Sequence, residues 1–115
     1  MKQFEYRIYE NVYQDMIIGK KKIEFRLLNE KTESIKVGDK INFKVLDNED
    51  KQLLVEVIDK HIYESLEELW NHKDVLDNTL NYTKEEFINA FYNIFGKDKV
   101  ENSKIVGIKF KIIKR

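Results

Sequence analysis

The chain has 115 residues, with 21 Lys and Arg against 21 Asp and Glu and neither Cys nor Pro. That length suits a single domain, residues 1–115, and the absence of Cys excludes disulfides, thiolate metal sites and a Cys nucleophile while suiting a reducing, cytoplasmic setting. Hydrophobic residues make up 42% of the chain, enough for a packed core, yet no apolar run is long enough for a membrane span or a secretory leader.

Phe4 to Tyr9 alternates apolar and polar positions and predicts a half-buried strand. At Glu10 the period lengthens. Val12, Tyr13, Met16 and Ile17 fall at helical spacing up to Ile18, and Gly19 is placed to end the helix. Lys22 to Leu28 returns to alternation, with Ile23, Phe25 and Leu27 facing one way and Lys22, Glu24 and Arg26 the other. Asn29 to Lys36 reads as a loop with a short helical turn. Gly38-Asp39 reads as a tight turn into a strand from Lys40 to Leu46. Asp47 to Asp50 makes a second turn, and Gln52 to Tyr63 a long strand that bends or bulges.

Ser65-Leu66-Glu67-Glu68 and Thr83-Lys84-Glu85-Glu86 are capping-box patterns that open two helices. Leu66, Leu69 and Trp70 are the apolar positions of the first. Phe87, Phe91 and Ile94 form the stripe of the second, which Gly96 ends, and Tyr82 and Phe87 are placed for a hydrophobic staple. Ile105 to Ile113 forms a strand with Val106, Ile108, Phe110 and Ile112 on one face. The order strand, helix, three strands, two helices, strand contains no repeating βαβ unit. It predicts an α+β domain built on a small, mostly antiparallel barrel.

Lys (18), Ile (14) and Asn (10) dominate the composition. They share A/T-rich codons, so the bias points to the genome of a bacterium or its phage rather than to chemistry. With three Arg in all, Arg26 stands out. Charge is uneven along the chain: ten basic and seven acidic residues in 1–44, four and twelve in 45–96, seven and two in 97–115. If the two ends share a sheet, a basic face able to attract phosphate would stand opposite an acidic middle. A solvated, Lys-rich surface explains the same numbers.

The familiar catalytic signatures are absent: no phosphate loop, no dinucleotide-binding glycine pattern, no H-E-x-x-H and no G-x-S-x-G. His61 and His72 lack partners at zinc-ligand spacing, so no metal and no cofactor is expected. What remains is Gly19-Lys20-Lys21-Lys22-Ile23-Glu24-Phe25-Arg26. Glu24 and Arg26 stand side by side on one strand face about 7 Å apart, able to pair or to share a ligand. Arg26 can donate a planar fork to a phosphate, carboxylate or base edge, and Glu24 can accept from cytosine or guanine. Alternation leaves Lys21 out of phase with them. An exposed ion pair, worth about 0–1 kcal/mol, is the plainer account.

Gly19-x-Lys21-x-x-Glu24-x-Arg26 resembles the G-x-K-x-x-E-x-R signature of the ASCH domain, a member of the PUA-like superfamily. Ile35-x-x-Gly38-Asp39-x-Ile41-x-Phe43, Tyr63-x-Ser65-Leu66-Glu67-Glu68-Leu69 and Val106-Gly107-Ile108-x-Phe110 extend the resemblance from about Tyr9 to Ile112. It implies a PUA-like β-barrel of five or six mostly antiparallel strands with about three flanking helices. It also implies a cleft beside the motif that binds RNA or a modified nucleoside, lined by Lys21, Glu24 and Arg26. One branch of the family resembles amidohydrolases of N4-acetylcytidine, which use the motif lysine, a threonine at the fourth position counted from that lysine and a later glutamate. Here Glu24 occupies the threonine position, and the later stretch reads Asp77-Asn78-Thr79-Leu80-Asn81, so that covalent route is disfavoured.

Three readings follow. The first is a binding module for single-stranded RNA or a nucleoside: Lys20, Lys21 and Lys22 would meet phosphate, Glu24 and Arg26 would read the base and Tyr63 would stack on it, with Gly19 and Ser65 also among the ligand-binding candidates. The second is a hydrolase, or a weak ribonuclease, with Lys21 and Glu24 catalytic. The third is a protein-interaction domain presenting the acidic Glu64, Glu67, Glu68, Asp74 and Asp77. A monomer or a weak homodimer through an edge strand is expected.

Overall fold

The computed structural model describes residues 1–73 and 82–115. Strand β1 (Gln3–Ile8) leads into helix α1 (Glu10–Ile17), then β2 (Ile23–Leu27), α2 (Glu30–Ser34), β3 (Lys40–Val45) and β4 (Asn48–Tyr63). Among the described residues three helices, α3 (Leu66–Trp70), α4 (Lys84–Phe95) and α5 (Lys97–Glu101), precede the last strand, β5 (Ile105–Lys114). No helix among the described residues is long and apolar enough to cross a membrane.

The five strands form one sheet in the order β1-β3-β4-β5-β2, curled into a half-barrel, so the fold is the expected α+β type. Three of the four pairings are antiparallel. The exception is β1 on β3, which run parallel from Gln3 opposite Lys40 to Ile8 opposite Val45. A parallel pair needs a crossover, and α1, β2 and α2 supply it. Between β3 and β4 the turn is tighter than the sequence implied. Val45 pairs with Asn48 across Leu46 and Asp47, and Asp47 takes a positive φ of 64°.

Strand β4 is long because it serves two neighbours, β3 and β5. Its register slips between Leu54 and Val55 and again between Val57 and Asp59, which are the expected bulges. Among the described residues five helices stand where about three were expected. The turn after Asn29 closes into α2 through a reciprocal cap: the Asn29 side chain accepts from the Thr32 backbone N–H, and the Asn29 backbone N–H donates to Thr32 Oγ1. Helix α5 had no cap signal, since Gly96 precedes it without a side-chain hydrogen bond.

Two hydrophobic clusters hold the sheet. Tyr6, Ile8, Met16, Ile41, Phe43, Val55, Val106 and Ile108 belong to the cluster inside the half-barrel, closed by α1. Ile23, Phe25 and Leu27 of β2 join Tyr63, Leu69, Phe87, Phe91 and Val100 in the second, under α3, α4 and α5. The alternation of β2 therefore sends Glu24 and Arg26 away from the second cluster. Ile94 and Ile112, read as the ends of apolar stripes, are exposed instead.

Candidate functional site

Helix α1 ends in a two-bond cap. Gly19, at φ 82°, donates to Met16 O at 3.2 Å, and Lys20 donates to Asp15 O at 2.9 Å. This is the paired closure that a left-handed glycine permits. Lys21 N also bonds to Asp15 O, at 3.0 Å, which turns the chain sharply before β2 begins. The turn brings Lys21 into phase with the strand face: its Nζ lies 3.4 Å from Glu24 Oε1 and 5.4 Å from the Phe25 ring centroid.

Glu24 is buried, at 6% exposure, and its charge is compensated on both sides. Arg26 donates to Glu24 Oε2 twice, from Nε at 3.0 Å and from Nη2 at 2.9 Å. Nη2 also donates to the Arg7 carbonyl at 3.2 Å, and the guanidinium carbon sits 4.2 Å from the Tyr6 ring centroid. A buried carboxylate tolerates that position when such partners hold it. The Tyr6 hydroxyl is buried and has no hydrogen-bond partner among the described residues. Burial raises its pKa above the ordinary phenol value, Arg26 opposes the rise and Glu24 adds to it.

Lys21, Glu24 and Arg26 line a cleft of about 290 Å³. Its other walls are largely apolar and aromatic, with Tyr9, Tyr82, Phe87 and Phe91 among them. Tyr9 and Tyr82 are each about half exposed. Two cations against one carboxylate leave the polar corner net positive.

No family model matches the chain, and no curated protein does. Solved structures do. The crystal structure of the hypothetical protein PH0355 is 28% identical with a TM-score of 0.81, covering 96% of this chain and 99% of that one. The solution structure of PF0455 from Pyrococcus furiosus is 29% identical at a TM-score of 0.74, covering 98% and 99%. An ASCH domain from Lactobacillus crispatus superposes at a TM-score of 0.70 with 15% identity, covering 96% of this chain and 79% of that one. ASCH from Zymomonas mobilis superposes at 0.65 with 11% identity, covering 96% and 67%. This chain has the ASCH fold.

Within that ASCH fold, the motif residues Lys21, Glu24 and Arg26 come together, and Gly19 makes the turn that allows it. The other candidates do not join them. Lys20 and Lys22 are exposed and line neither this cleft nor its neighbour. Tyr63, read as a stacking residue, is fully buried, packed edge-on to Phe25 at 6.4 Å, and cannot meet a ligand. Ser65 caps α3 by accepting from the Glu68 backbone N–H at 3.1 Å. The glutamate of that box reaches one residue further back than expected, to the Glu64 backbone N–H at 2.6 Å. The fold also brings His61 and His72 to 4.9 Å between ring centroids, and no third metal-ligating side chain joins them among the described residues.

The acidic surface is largely engaged within the chain. Glu64 pairs with Lys104 at 3.3 Å and Glu67 with Lys84 at 2.6 Å, while Glu68 serves as a cap. Asp74 and the stretch Asp77-Asn78-Thr79-Leu80-Asn81 lie outside the described residues. Sequence reasoning missed Tyr9 and Tyr82. Tyr9 had a signal: it holds the N-cap position of α1, where Ser, Thr, Asp or Asn is preferred, and makes no side-chain cap bond.

Proposed function

We propose that this ASCH-fold chain binds a base of RNA, or a modified nucleoside, in the cleft at Lys21, Glu24 and Arg26. One observation carries the reading: a buried carboxylate and two cations converge on one corner of an otherwise aromatic and apolar cleft. At about 290 Å³ the cleft lies just below the usual range for ligand sites, roughly 300–1,000 Å³, a size suited to one nucleoside.

The polar corner alternates in the way a base edge requires. Arg26 holds Glu24 Oε2, while Oε1 meets only Lys21 among the described residues. Oε1 is thus available to an exocyclic amine or ring N–H, and Lys21, whose ammonium has donors to spare, can donate to a ring carbonyl. Cytosine and guanine both offer that combination. Tyr9 and Tyr82 stand where an unstacked base could lie against a ring, the mode common in recognition of single strands.

A second reading, hydrolysis, draws on the same Oε1–Lys21 pair, with Glu24 as base toward water and Lys21 stabilising the oxyanion. One experiment tests both. Amide-resolved NMR titrations with a short mixed-sequence RNA, cytidine and N4-acetylcytidine, each sample then checked by mass spectrometry, should shift Gly19 to Arg26, Tyr9 and Tyr82 without any mass change. Loss of an acyl group would favour the hydrolase. No shift with any of the three would rule the cleft out as a site for these compounds.

A further inference from the structure

Beside the first cleft lies a second, of about 430 Å³, which Arg26 also lines. Arg26, Ile94 and Phe95 line both clefts, so the two adjoin at Arg26 and the last turn of α4. The electrostatics differ sharply. The first cleft carries Glu24 and Asp15, whereas among the described residues no carboxylate lines the second, to which Arg26, Lys31 and Lys99 all contribute.

Two of these cations share one aromatic ring. Lys31 Nζ is 3.9 Å from the Tyr6 ring centroid, and the guanidinium carbon of Arg26 is 4.2 Å from it. Lys31 donates to the Glu5 carbonyl at 2.6 Å, which occupies one of its three donors. Burial, and next the charge of Arg26, lower its pKa, with Glu5 opposing. Convergent cations without a carboxylate between them are unfavourable when the cleft is empty and favourable when an anion fills it. Tyr6 also lines this cleft, and its buried hydroxyl has no partner among the described residues. Ser103 adds a second hydroxyl.

We infer that the second cleft is a phosphate subsite, holding the phosphate of a nucleotide whose base occupies the first cleft. The inference rests on the base-binding reading and narrows it: the ligand is a nucleotide, free or within a strand, rather than a bare nucleoside. Lys31, Lys99 and Arg26 supply charge-assisted donors, and the shared wall at Arg26 sets the base on one side and the phosphate on the other.

The test titrates the protein with cytidine, cytidine 3′-monophosphate, cytidine 5′-monophosphate, the dinucleotide of two cytidines and inorganic phosphate, read by NMR and calorimetry. At least one phosphorylated compound should bind about tenfold tighter than cytidine, the scale of one charge-assisted bond, and should add shifts at Lys31, Lys99 and Ser103. Inorganic phosphate alone should shift the same three residues weakly. Lys31→Met and Lys99→Met should each reduce the phosphate gain and leave cytidine binding unchanged. Both lysines are exposed, so the variants should fold, and unfolding midpoints check this. A gain confined to the monophosphates assigns a terminal phosphate, and an equal gain for the dinucleotide assigns a strand. If cytidine shifts Gly19 to Arg26 but no phosphorylated compound binds tighter, the subsite is wrong and the base reading stands. If no compound shifts that segment, both fall together.

Discussion

The guanidinium carbon of Arg26 lies 4.2 Å from the Tyr6 ring centroid, and its Nη2 reaches the Arg7 carbonyl at 3.2 Å. Tyr6 and Arg7 belong to β1, and Arg26 to β2, the two outer strands of the sheet order. No ladder joins those strands among the described residues, so Arg26 links them by side chain. The same residue compensates the buried Glu24, so the partner of the cleft's carboxylate and a closure of the half-barrel are one side chain.

Arg26→Ala should therefore cost stability as well as binding. It leaves the Glu24 carboxylate without its principal donor, a loss of about 3 kcal/mol for a buried pair broken on one side. Urea unfolding measures it. Arg26→Lys should recover only part of the loss, because an ammonium cannot bond Glu24 twice and reach Arg7 at once. A double change, Arg26→Met with Glu24→Leu, should recover most of it and still abolish ligand binding. Equal stability of Arg26→Ala and the parent would refute the linkage.

Gly19 offers a second, separable test. A Cβ at this position would meet nothing within 4 Å, so the only penalty of Gly19→Ala is the left-handed backbone at φ 82°. That should cost about 1 kcal/mol. Gly19→Asn should cost less. If Gly19→Ala instead relaxes the turn, the Lys21 amide and those of β2 should shift in NMR spectra, and ligand affinity should drop with little further loss of stability.

The faces of β2 were legible because period-2 alternation is local: Ile23, Phe25 and Leu27 pack under the helices, and Glu24 and Arg26 turn away. Lys21 was not legible from that pattern. Its approach to Glu24 depends on the three-dimensional direction of the turn at Gly19, which alternation does not encode. The burial of Tyr63 depends on Phe25 and Gly107, distant in sequence, so an aromatic at a strand end gave no hint of which side of the sheet it faced. Tyr82, read as a staple residue, was not seen as a cleft residue for the same reason: the cleft is assembled from β1, α1, β2 and α4, and only the motif segment is contiguous. The parallel pairing of β1 with β3 is equally silent in the pattern, since a half-buried strand alternates whichever way its neighbour runs.

Gly107 shows what one such distant contact requires. A Cβ there would lie 3.1 Å from Tyr63 Cε2, 3.2 Å from Phe25 Cε1 and 3.3 Å from Tyr63 Oη. Both rings are buried, so neither can withdraw freely. Gly107→Ala should cost about 1–3 kcal/mol by overpacking. Adding Phe25→Leu should relieve part of the crowding, so that the double variant is more stable than the sum of the two single changes predicts. Simple additivity in thermal or urea unfolding would count against this account.

Asp39 predicts the acid side of the stability profile. Its carboxyl accepts the Lys2 backbone N–H at 3.0 Å on Oδ1 and the Lys36 backbone N–H at 2.9 Å on Oδ2. These bonds, Lys2 first, hold its pKa below the ordinary carboxylate value, and the nearby amino terminus and the Lys2 charge act the same way. A depressed pKa means that the unfolded chain takes up the proton first. The stabilisation is fully present above the unfolded value, about 4, and is lost as pH falls through the lower folded value. Exposed Glu10, bonded by Lys51, and Glu49, bonded by Arg7, add to the same acid limb. Asp39→Asn keeps one acceptor but turns an amide toward one of the two N–H groups, so it should lower stability at neutral pH. Because the variant has no proton to gain at this position, its unfolding midpoint in urea should fall less steeply than the parent's between pH 5 and pH 2. Parallel curves for the two proteins across that range would show that Asp39 does not carry the linkage.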